Sequence, residues 1–222
     1  MIKEACVETY EEAILAKKKG ATRIELCSDL ANDGLTPSFK LMKKTISNLK
    51  IPIMVMIRPR AGNFIYSEEE ISEMKSEIDL AKKAGAAGIV FGLLTSENKI
   101  DIKNTQILAE YASPLPVTFH KAIDELENQV EAVKDLLQIE NIKRILTSGG
   151  LPTALEGQET IREMIKTAGD KIIILVAGKV LDSNVEEIRK ITGAKELHGR
   201  RIVGELSPLL PPPKGEEKNK EK

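Results

Sequence analysis

The strongest constraint in this sequence is a repeated alternation of short, strand-forming apolar runs with longer amphipathic segments. The strand-like runs lie at residues 2–6, 23–27, 53–58, 88–91, 117–120, 144–147, 172–176 and 196–198. The helix-like segments lie between them, at residues 9–19, 37–48, 68–84, 102–112, 128–138, 152–168 and 184–191. Strands that alternate with helices in this way form a parallel sheet covered by helices.

The number of strands favours an α/β fold of the closed (β/α)8 type, the TIM barrel, over an open doubly wound sheet. The first strand is not followed by the G-x-G-x-x-G turn that dinucleotide-binding sheets carry there. Nothing after His198 resembles an eighth helix, because the segment RIVGELSPLLPPPKG contains four prolines. We therefore predict one barrel domain over residues 1–206, with its last outer helix missing or shortened. A Pro-rich, charged tail over residues 207–222 is predicted to be disordered.

Partners and location follow from composition and from the missing helix. Lys and Arg total 33 and Asp and Glu total 34, which gives a net charge of −1. The chain therefore has no excess of positive charge with which to bind nucleic acid or an anionic membrane. The sequence has no apolar run long enough to span a bilayer and no secretory signal, which predicts a cytoplasmic protein. An uncovered barrel flank predicts either a homo-oligomer, in the simplest case a dimer, or cover by the tail.

The predicted strand ends are unusually polar, and reactive side chains of such barrels lie at the C-terminal ends of the strands. Residues two apart on a strand share a face. The pairs that share a face in this way are Glu4 and Cys6, Glu25 and Cys27, Met56 and Arg58, Thr118 and His120, and Glu196 and His198. If these faces turn inward, the barrel mouth gathers carboxylates, a guanidinium, two imidazoles and two thiols.

Two interpretations of the charged residues stay open. Glu25 and Arg58, on neighbouring strands, could form a buried structural ion pair. Alternatively the barrel is an enzyme that acts on a small anionic substrate. In that case Glu4 or Glu25 is the general base, His120 an acid or electrophile, and Arg58 a clamp for charge. His120 and His198 also suit roles as general bases or metal ligands.

The two cysteines allow a purely structural and a functional interpretation. Cys6 and Cys27 are either small buried apolar groups or, on adjacent strands, a dithiolate site that would select Cu(I). The thioether of Met54 or Met56 would lie nearby. The sequence lacks C-x-x-C and Cys–His zinc spacing, which disfavours a structural zinc site. A disulfide between the adjacent strand ends is sterically allowed but disfavoured in a reducing cytosol.

Glycine-rich turns follow the last three predicted strands. Backbone N–H groups at Ser148, Gly149 and Gly178, with Lys179 and Arg200 nearby, are candidates to hold the phosphate or carboxylate of a small ligand. Tight turns also require glycine when no ligand binds.

Several segments between Glu4 and Gly199 resemble the copper homeostasis protein CutC family. The matching segments are KEACVET, RIELCSDL, DGLTPS, VMIRPRAGNFIYSEEEISEM, VFGLLT, VTFHKAIDE, RILTSGG, TALEG and ELHG. The combination of MIRPR-x-G-x-F-x-Y, FH-x-A-x-D and LTSGG is specific. Lys121 and Arg200 depart from the residues that the family commonly has at these positions.

This resemblance implies a TIM barrel with a role in cytosolic copper handling. It implies that Cys6 and Cys27 are the Cu(I) ligands. The residues that fall on the family's characteristic polar positions are Glu4, Glu25, Arg58, Thr118, His120, Asp124 and His198.

Overall fold

A computed structural model describes residues 1–206 as a closed barrel of eight parallel strands, in which each strand pairs with the next and β8 pairs with β1. The strands are β1 (Ile2–Val7), β2 (Arg23–Leu26), β3 (Ile53–Met56), β4 (Gly88–Phe91), β5 (Val117–Phe119), β6 (Ile142–Thr147), β7 (Ile173–Val176) and β8 (Glu196–Gly199). This confirms the predicted (β/α)8 barrel. The predicted tail at 207–222 lies outside the described residues, and its disorder stays a prediction.

Seven α-helices of the described range surround the barrel. They are α1 (Tyr10–Lys18), α2 (Phe39–Asn48), α3 (Glu68–Ala84), α4 (Ile102–Ala112), α5 (Gln129–Leu136), α6 (Gln158–Ala168) and α7 (Val185–Thr192). Short 3-10 turns cover Leu30–Asn32 and Lys121–Glu125. Between residues 1 and 206 no helix is long and apolar enough to cross a membrane.

Local sequence signals explain where the helices begin and end. The Ser67 hydroxyl accepts from the Glu70 N–H and the Glu70 carboxylate accepts from the Ser67 N–H, which forms a capping box at the start of α3. Gly85 ends the same helix with φ of 87°, a left-handed conformation that favours glycine. Helix α6 begins at Gln158, six residues later than predicted, and Gly157, the residue before it, packs directly on the Ser148 carbonyl. A Cβ there would lie 2.0 Å from that oxygen.

The segment after β8 has no helix up to residue 206, as predicted. Instead Ile202, Val203 and Leu206 are buried in the main apolar core, and the Lys19 ammonium donates to the Glu205 carbonyl. This segment therefore covers part of the flank where an eighth helix would pack. The homo-oligomer stays a prediction, which sedimentation velocity on the full chain tests.

Alternation along the strands separates two environments. On β1 and β2, Ala5, Val7, Ile24 and Leu26 join the apolar layer between strands and helices. The intervening residues point into the barrel, and many of them are polar or contain sulfur. The barrel interior is therefore the place where buried polar groups must find partners.

Candidate functional site

A cavity of about 720 Å³ opens at the C-terminal ends of the strands. Its volume is in the range of sites for small molecules, roughly 300–1,000 Å³. The sequence-predicted site residues that line it are Cys6, Glu25, Arg58, His120, Ser148, Gly178 and His198. Cys27 lies in contact with this set, beneath the surface of the cavity.

The two thiols lie together on one side of the cavity. The Sγ atoms of Cys6 and Cys27 are 3.8 Å apart, and both cysteines are free. Parallel pairing of β1 and β2 sets Cys6 opposite Glu25. Cys27 follows Glu25 by two residues and so shares its face, and the Cys27 Sγ lies 3.5 Å from the Glu25 Oε2 atom. The second oxygen of Glu25, Oε1, is buried without a hydrogen-bond partner among the described residues.

A chain of buried charges connects His198 to the opposite end of the barrel. Register between β1 and β8 pairs Glu4 with His198, and the Glu4 Oε1 atom lies 2.9 Å from the His198 Nδ1. Arg23 binds both Glu4 and Glu196, and the Arg144 Nε donates to Glu196 at 2.9 Å. Sequence reasoning missed Arg23 and Arg144. Each arginine is two residues away from a residue that faces the barrel interior, so the strand period predicts that it faces the interior too.

The surroundings of the thiol cluster shift the pKa values of its two cysteines in opposite directions. The hydrogen bond from Cys27 lowers the pKa of Cys6 to about 5 despite burial, while the same bond and burial raise the pKa of Cys27 well above its usual value. Burial and the Cys6 charge raise the pKa of Glu25. For His198, burial is outweighed by the Glu25 charge and by bonds to Cys6 and Glu4, so its pKa lies well above the ordinary value.

The predicted ion pair between Glu25 and Arg58 is wrong. Strand β3 ends at Met56, so Arg58 lies in the loop beyond the strand. There its guanidinium donates to the carbonyls of Asn32, Gly34 and Gly62 at 3.0, 3.3 and 2.9 Å. Arg58 has no carboxylate partner within residues 1–206, although it is 3% exposed.

His120 is a neutral imidazole on the other side of the cavity. Its Nδ1 accepts from the Ala122 N–H at 3.2 Å, which leaves the proton of the ring on Nε2. The Phe64 ring lies 4.8 Å from the imidazole and 4.9 Å from the Arg58 guanidinium carbon. Burial, with the Arg58 charge, lowers the pKa of His120 to about 3. Nε2 has no hydrogen-bond partner in the described part of the chain.

The glycine-rich turn after β6 holds a carboxylate of the protein itself. Asp124 accepts from the N–H groups of Ser148 and Gly150 at 3.0 and 2.9 Å, and from the hydroxyls of Thr147 and Ser148. Lys121 pairs with Asp124. Two of the backbone donors of this turn are thus used by Asp124. Ligand binding at Ser148, Gly149 and Gly178 stays a prediction.

Gly178 also has a packing role. A Cβ there would lie 2.6 Å from the Ser148 Cβ, and its φ is +95°. The turns after β6 and β7 therefore pack so closely that glycine is required whether or not a ligand binds.

Together the fold and this site define a parallel (β/α)8 barrel whose interior buries a cluster of thiols, carboxylates and imidazole. The chain belongs to the CutC family, whose model matches residues 1–203. A human protein named copper homeostasis protein cutC homolog is 43% identical over 195 residues, which are 88% of this chain and 71% of the human protein. A CutC family protein of Pasteurella multocida is 40% identical, over 88% of this chain and 80% of that protein.

Solved structures agree with the fold. A crystal structure of a CutC protein from Streptococcus agalactiae is 33% identical, with a TM-score of 0.86 over 91% of this chain and 99% of that one. A dihydrodipicolinate synthase from Bacillus anthracis is 17% identical, with a TM-score of 0.63 over 89% of this chain and 69% of that one. At that identity the likeness concerns the barrel fold alone.

Proposed function

We propose that this protein serves copper homeostasis in the cytoplasm by binding Cu(I) through Cys6 and Cys27. The observation that carries the proposal is the separation of 3.8 Å between the two Sγ atoms beside an open cavity. Two metal–sulfur bonds of about 2.3 Å each, the length of zinc–thiolate bonds, span such a separation with the metal between the sulfurs. Thiolate sulfur is the donor that Cu(I) prefers over harder ligands.

The protonation of the thiols supports the same role. With its pKa lowered to about 5, Cys6 is a thiolate at neutral pH and is ready to bind a metal ion. Cys6 also lines the cavity, and the thioether of Met56 lies there too, so an ion can reach the sulfur without unfolding the barrel. The names of the human and bacterial relatives support a role in copper handling.

An anaerobic Cu(I) titration against a chromogenic chelator tests this proposal. We expect the wild-type chain to take one Cu(I), and Cys6→Ser and Cys27→Ser to lose at least about 100-fold in affinity, because replacing even outer-shell partners of metals lowers affinity by about 10–100-fold. Met42→Leu is the matched control, since Met42 is a buried sulfur in the apolar layer of α2. Equal affinities of wild type and both serine variants would refute Cu(I) binding by the thiols.

A second candidate function has its own observation. Arg58 is a buried cation without a carboxylate partner up to residue 206, and the neighbouring His120 has an unpartnered Nε2. Such a pair suits a small carboxylate ligand, as in an enzyme acting on an anionic substrate. Ligand-detected NMR with acetate, pyruvate and succinate tests it, with acetamide as the neutral control. We expect binding of the acids by wild type and its loss in His120→Phe; no binding of any acid would remove the candidate.

A further inference from the structure

Three buried polar atoms of the residues that line the cavity have no hydrogen-bond partner among residues 1–206. They are the Nε atom of Arg58, the Nε2 atom of His120 and the Oε1 atom of Glu25. Each of these residues is at most 4% exposed. Buried polar atoms nearly always have a partner, because leaving one without a partner is costly. Three such atoms around one cavity therefore indicate a ligand that supplies the partners.

Arg58 and His120 form the donor end of the cavity. The Phe64 ring lies 4.8 Å from the imidazole and 4.9 Å from the guanidinium carbon, so both side chains pack against one ring. The Nη atoms of Arg58 donate to backbone carbonyls, which leaves the Nε–H group unused. His120 carries its ring proton on Nε2, because Nδ1 accepts from a backbone N–H. A cation with two N–H donors matches the charge and the two oxygens of a carboxylate.

Glu25 forms the other end, and one loop connects it to Arg58. Its Oε2 atom lies 3.5 Å from the Cys27 Sγ. Cys27 lies beside Gly34, where a Cβ would be 3.2 Å from the sulfur, and the Gly34 carbonyl accepts from Arg58 at 3.3 Å. Glu25 and Arg58 are thus held near each other on the wall without forming an ion pair. The free Oε1 atom suits a second polar group of the same ligand.

The cavity also has an apolar lining. Met56 lines it and belongs to the apolar cluster that contains both thiols, and Leu30 packs against this cluster. Phe64 lines the cavity at the donor end. A ligand that reaches from Arg58 to Glu25 can therefore place a short hydrocarbon segment against these side chains.

The surroundings of Glu25 favour a neutral polar group over an ammonium group. His198 Nε2 already lies 3.7 Å from the Oε2 atom of Glu25. A ligand ammonium at Oε1 would add positive charge beside this imidazole, whereas a hydroxyl adds none. Arg58, by contrast, is a buried cation that needs one negative charge. One carboxylate and one hydroxyl satisfy both ends.

We propose that the cavity binds a small hydroxycarboxylic acid, whose carboxylate accepts from Arg58 Nε and His120 Nε2 and whose hydroxyl bonds to Glu25 Oε1. The inference rests on the second candidate function, the binding of a small carboxylate, and adds the second polar group of that ligand. It makes Glu25 the residue that determines specificity. It does not depend on Cu(I) binding.

Pairs of acids that differ in one hydroxyl group test this proposal. Calorimetry on the reduced, metal-free full chain compares acetate with glycolate, propionate with 3-hydroxypropionate, and butyrate with 4-hydroxybutyrate. We expect the hydroxyl to strengthen binding about tenfold in at least one pair, which is the effect of one added hydrogen bond to a buried group. The amide of the best hydroxy acid lacks the carboxylate and is expected not to bind.

Two substitutions of Glu25 test its role. Methionine has a similar length and no oxygen, so Glu25→Met is expected to abolish the preference for the hydroxy acid and to leave the binding of the plain acid unchanged. Glutamine keeps an acceptor oxygen, so Glu25→Gln is expected to retain most of the preference. Glu187→Gln, at an exposed carboxylate on α7, is the control.

The outcomes separate this inference from the candidate on which it rests. Equal binding within all three pairs, or an unchanged preference in Glu25→Met, would overturn the proposal and leave the binding of small carboxylates intact. Tighter binding of an amino acid than of the hydroxy acid of the same length would also overturn it. If no acid binds, both ideas are removed and Cu(I) binding is unaffected. If the Glu25 variants do not fold, the three pairs on the wild-type chain decide.

Discussion

The two histidines of this protein occupy equivalent places, each at the C-terminal end of a barrel strand and buried beside the same cavity, yet their surroundings are opposite. His198 lies between the carboxylates of Glu4 and Glu25, which favour its charged form. His120 lies against Phe64 and near the Arg58 cation, which disfavour it. The position in the fold therefore does not determine the chemistry of a strand-end histidine; the charges on neighbouring strands do.

The difference divides the cavity into two halves with different capacities. The half formed by β8, β1 and β2 concentrates negative charge and sulfur, which suits cations. The half near Arg58 and His120 carries a buried positive charge and a neutral N–H donor, which suits a negatively charged hydrogen-bond acceptor. The two halves of one cavity therefore differ in the sign of the charge that surrounds them.

The protonation of the two histidines is the largest expected difference. The pKa of His120 is lowered to about 3 by burial and the Arg58 charge, whereas the Glu25 charge and the bonds to Cys6 and Glu4 raise that of His198 well above 6.5. Imidazole ¹⁵N NMR of the metal-free chain measures both. We expect His198 to be protonated and His120 neutral, with its proton on Nε2, at about pH 7. Titration of both rings near the ordinary pKa would contradict the comparison.

Removing the charge that supports the His198 half is expected to destabilise the barrel strongly. Arg23→Met leaves the buried Glu4 carboxylate without its guanidinium and takes one of two arginines from Glu196. Breaking a buried ion pair from one side lowers the free energy of unfolding by about 3–5 kcal/mol. Urea unfolding measures the loss.

The matched control is Arg189→Met, which removes an exposed pair with Glu186 on α7. An exposed pair of this kind contributes about 0–1 kcal/mol. If Arg23→Met were no more destabilising than this control, the buried network would not hold the His198 half in place.

The sequence predicts the fold well, because eight strand periods and seven helical segments repeat in one chain. The sequence also predicts that five side chains lie close together, because alternation along the strands sets their faces. These residues are Glu4, Cys6, Glu25, Cys27 and His198. These positions depend only on the strand period and on parallel register.

Side chains beyond the strand ends are harder to predict, because loops decide their partners. Arg58 lies past the end of β3, where carbonyls of the loop around Gly34 take its guanidinium. Asp124 reaches the turn after β6 only because Lys121–Glu125 form a 3-10 turn. Neither loop conformation is determined by hydrophobic periodicity.

The neutral state of His120 predicts how acid weakens the folded protein. Its folded pKa of about 3 lies below the ordinary value of 6.5, so the unfolded chain binds a proton that the folded chain does not. Stability therefore falls as pH decreases below about 6.5 and stops falling near 3. In His120→Gln this contribution is absent, and between about pH 7 and pH 4.5 we expect the variant to lose about 2 kcal/mol less stability than wild type.

Urea unfolding at both pH values measures this difference. His198 and the carboxylates titrate in both proteins, so the comparison of wild type with variant isolates His120. Parallel loss of stability in the two proteins would show that folding does not lower the pKa of His120.

The smallest expected effect concerns the outer support of Arg58. Thr36 Oγ1 accepts from the Arg58 N–H at 2.8 Å and donates to Glu77 Oε2 at 2.7 Å. Burial raises the pKa of Glu77 to about 7, so the folded state favours the protonated carboxyl. The stability that this proton gives is complete below about pH 4.5 and is lost as pH rises through about 7.

Glu77→Gln keeps a neutral side chain at every pH, so it is expected to exceed wild type in stability at about pH 8 by on the order of 1 kcal/mol and to equal it near pH 4.5. Thermal unfolding at the two pH values measures the gain, with the exposed Glu187→Gln on α7 as control. A gain of the same size at both pH values would mean that the amide improves packing and that Glu77 does not titrate near neutrality. A gain confined to high pH would show that the Arg58 half is held by a hydrogen-bonded neutral carboxyl, whereas the His198 half is held by charges.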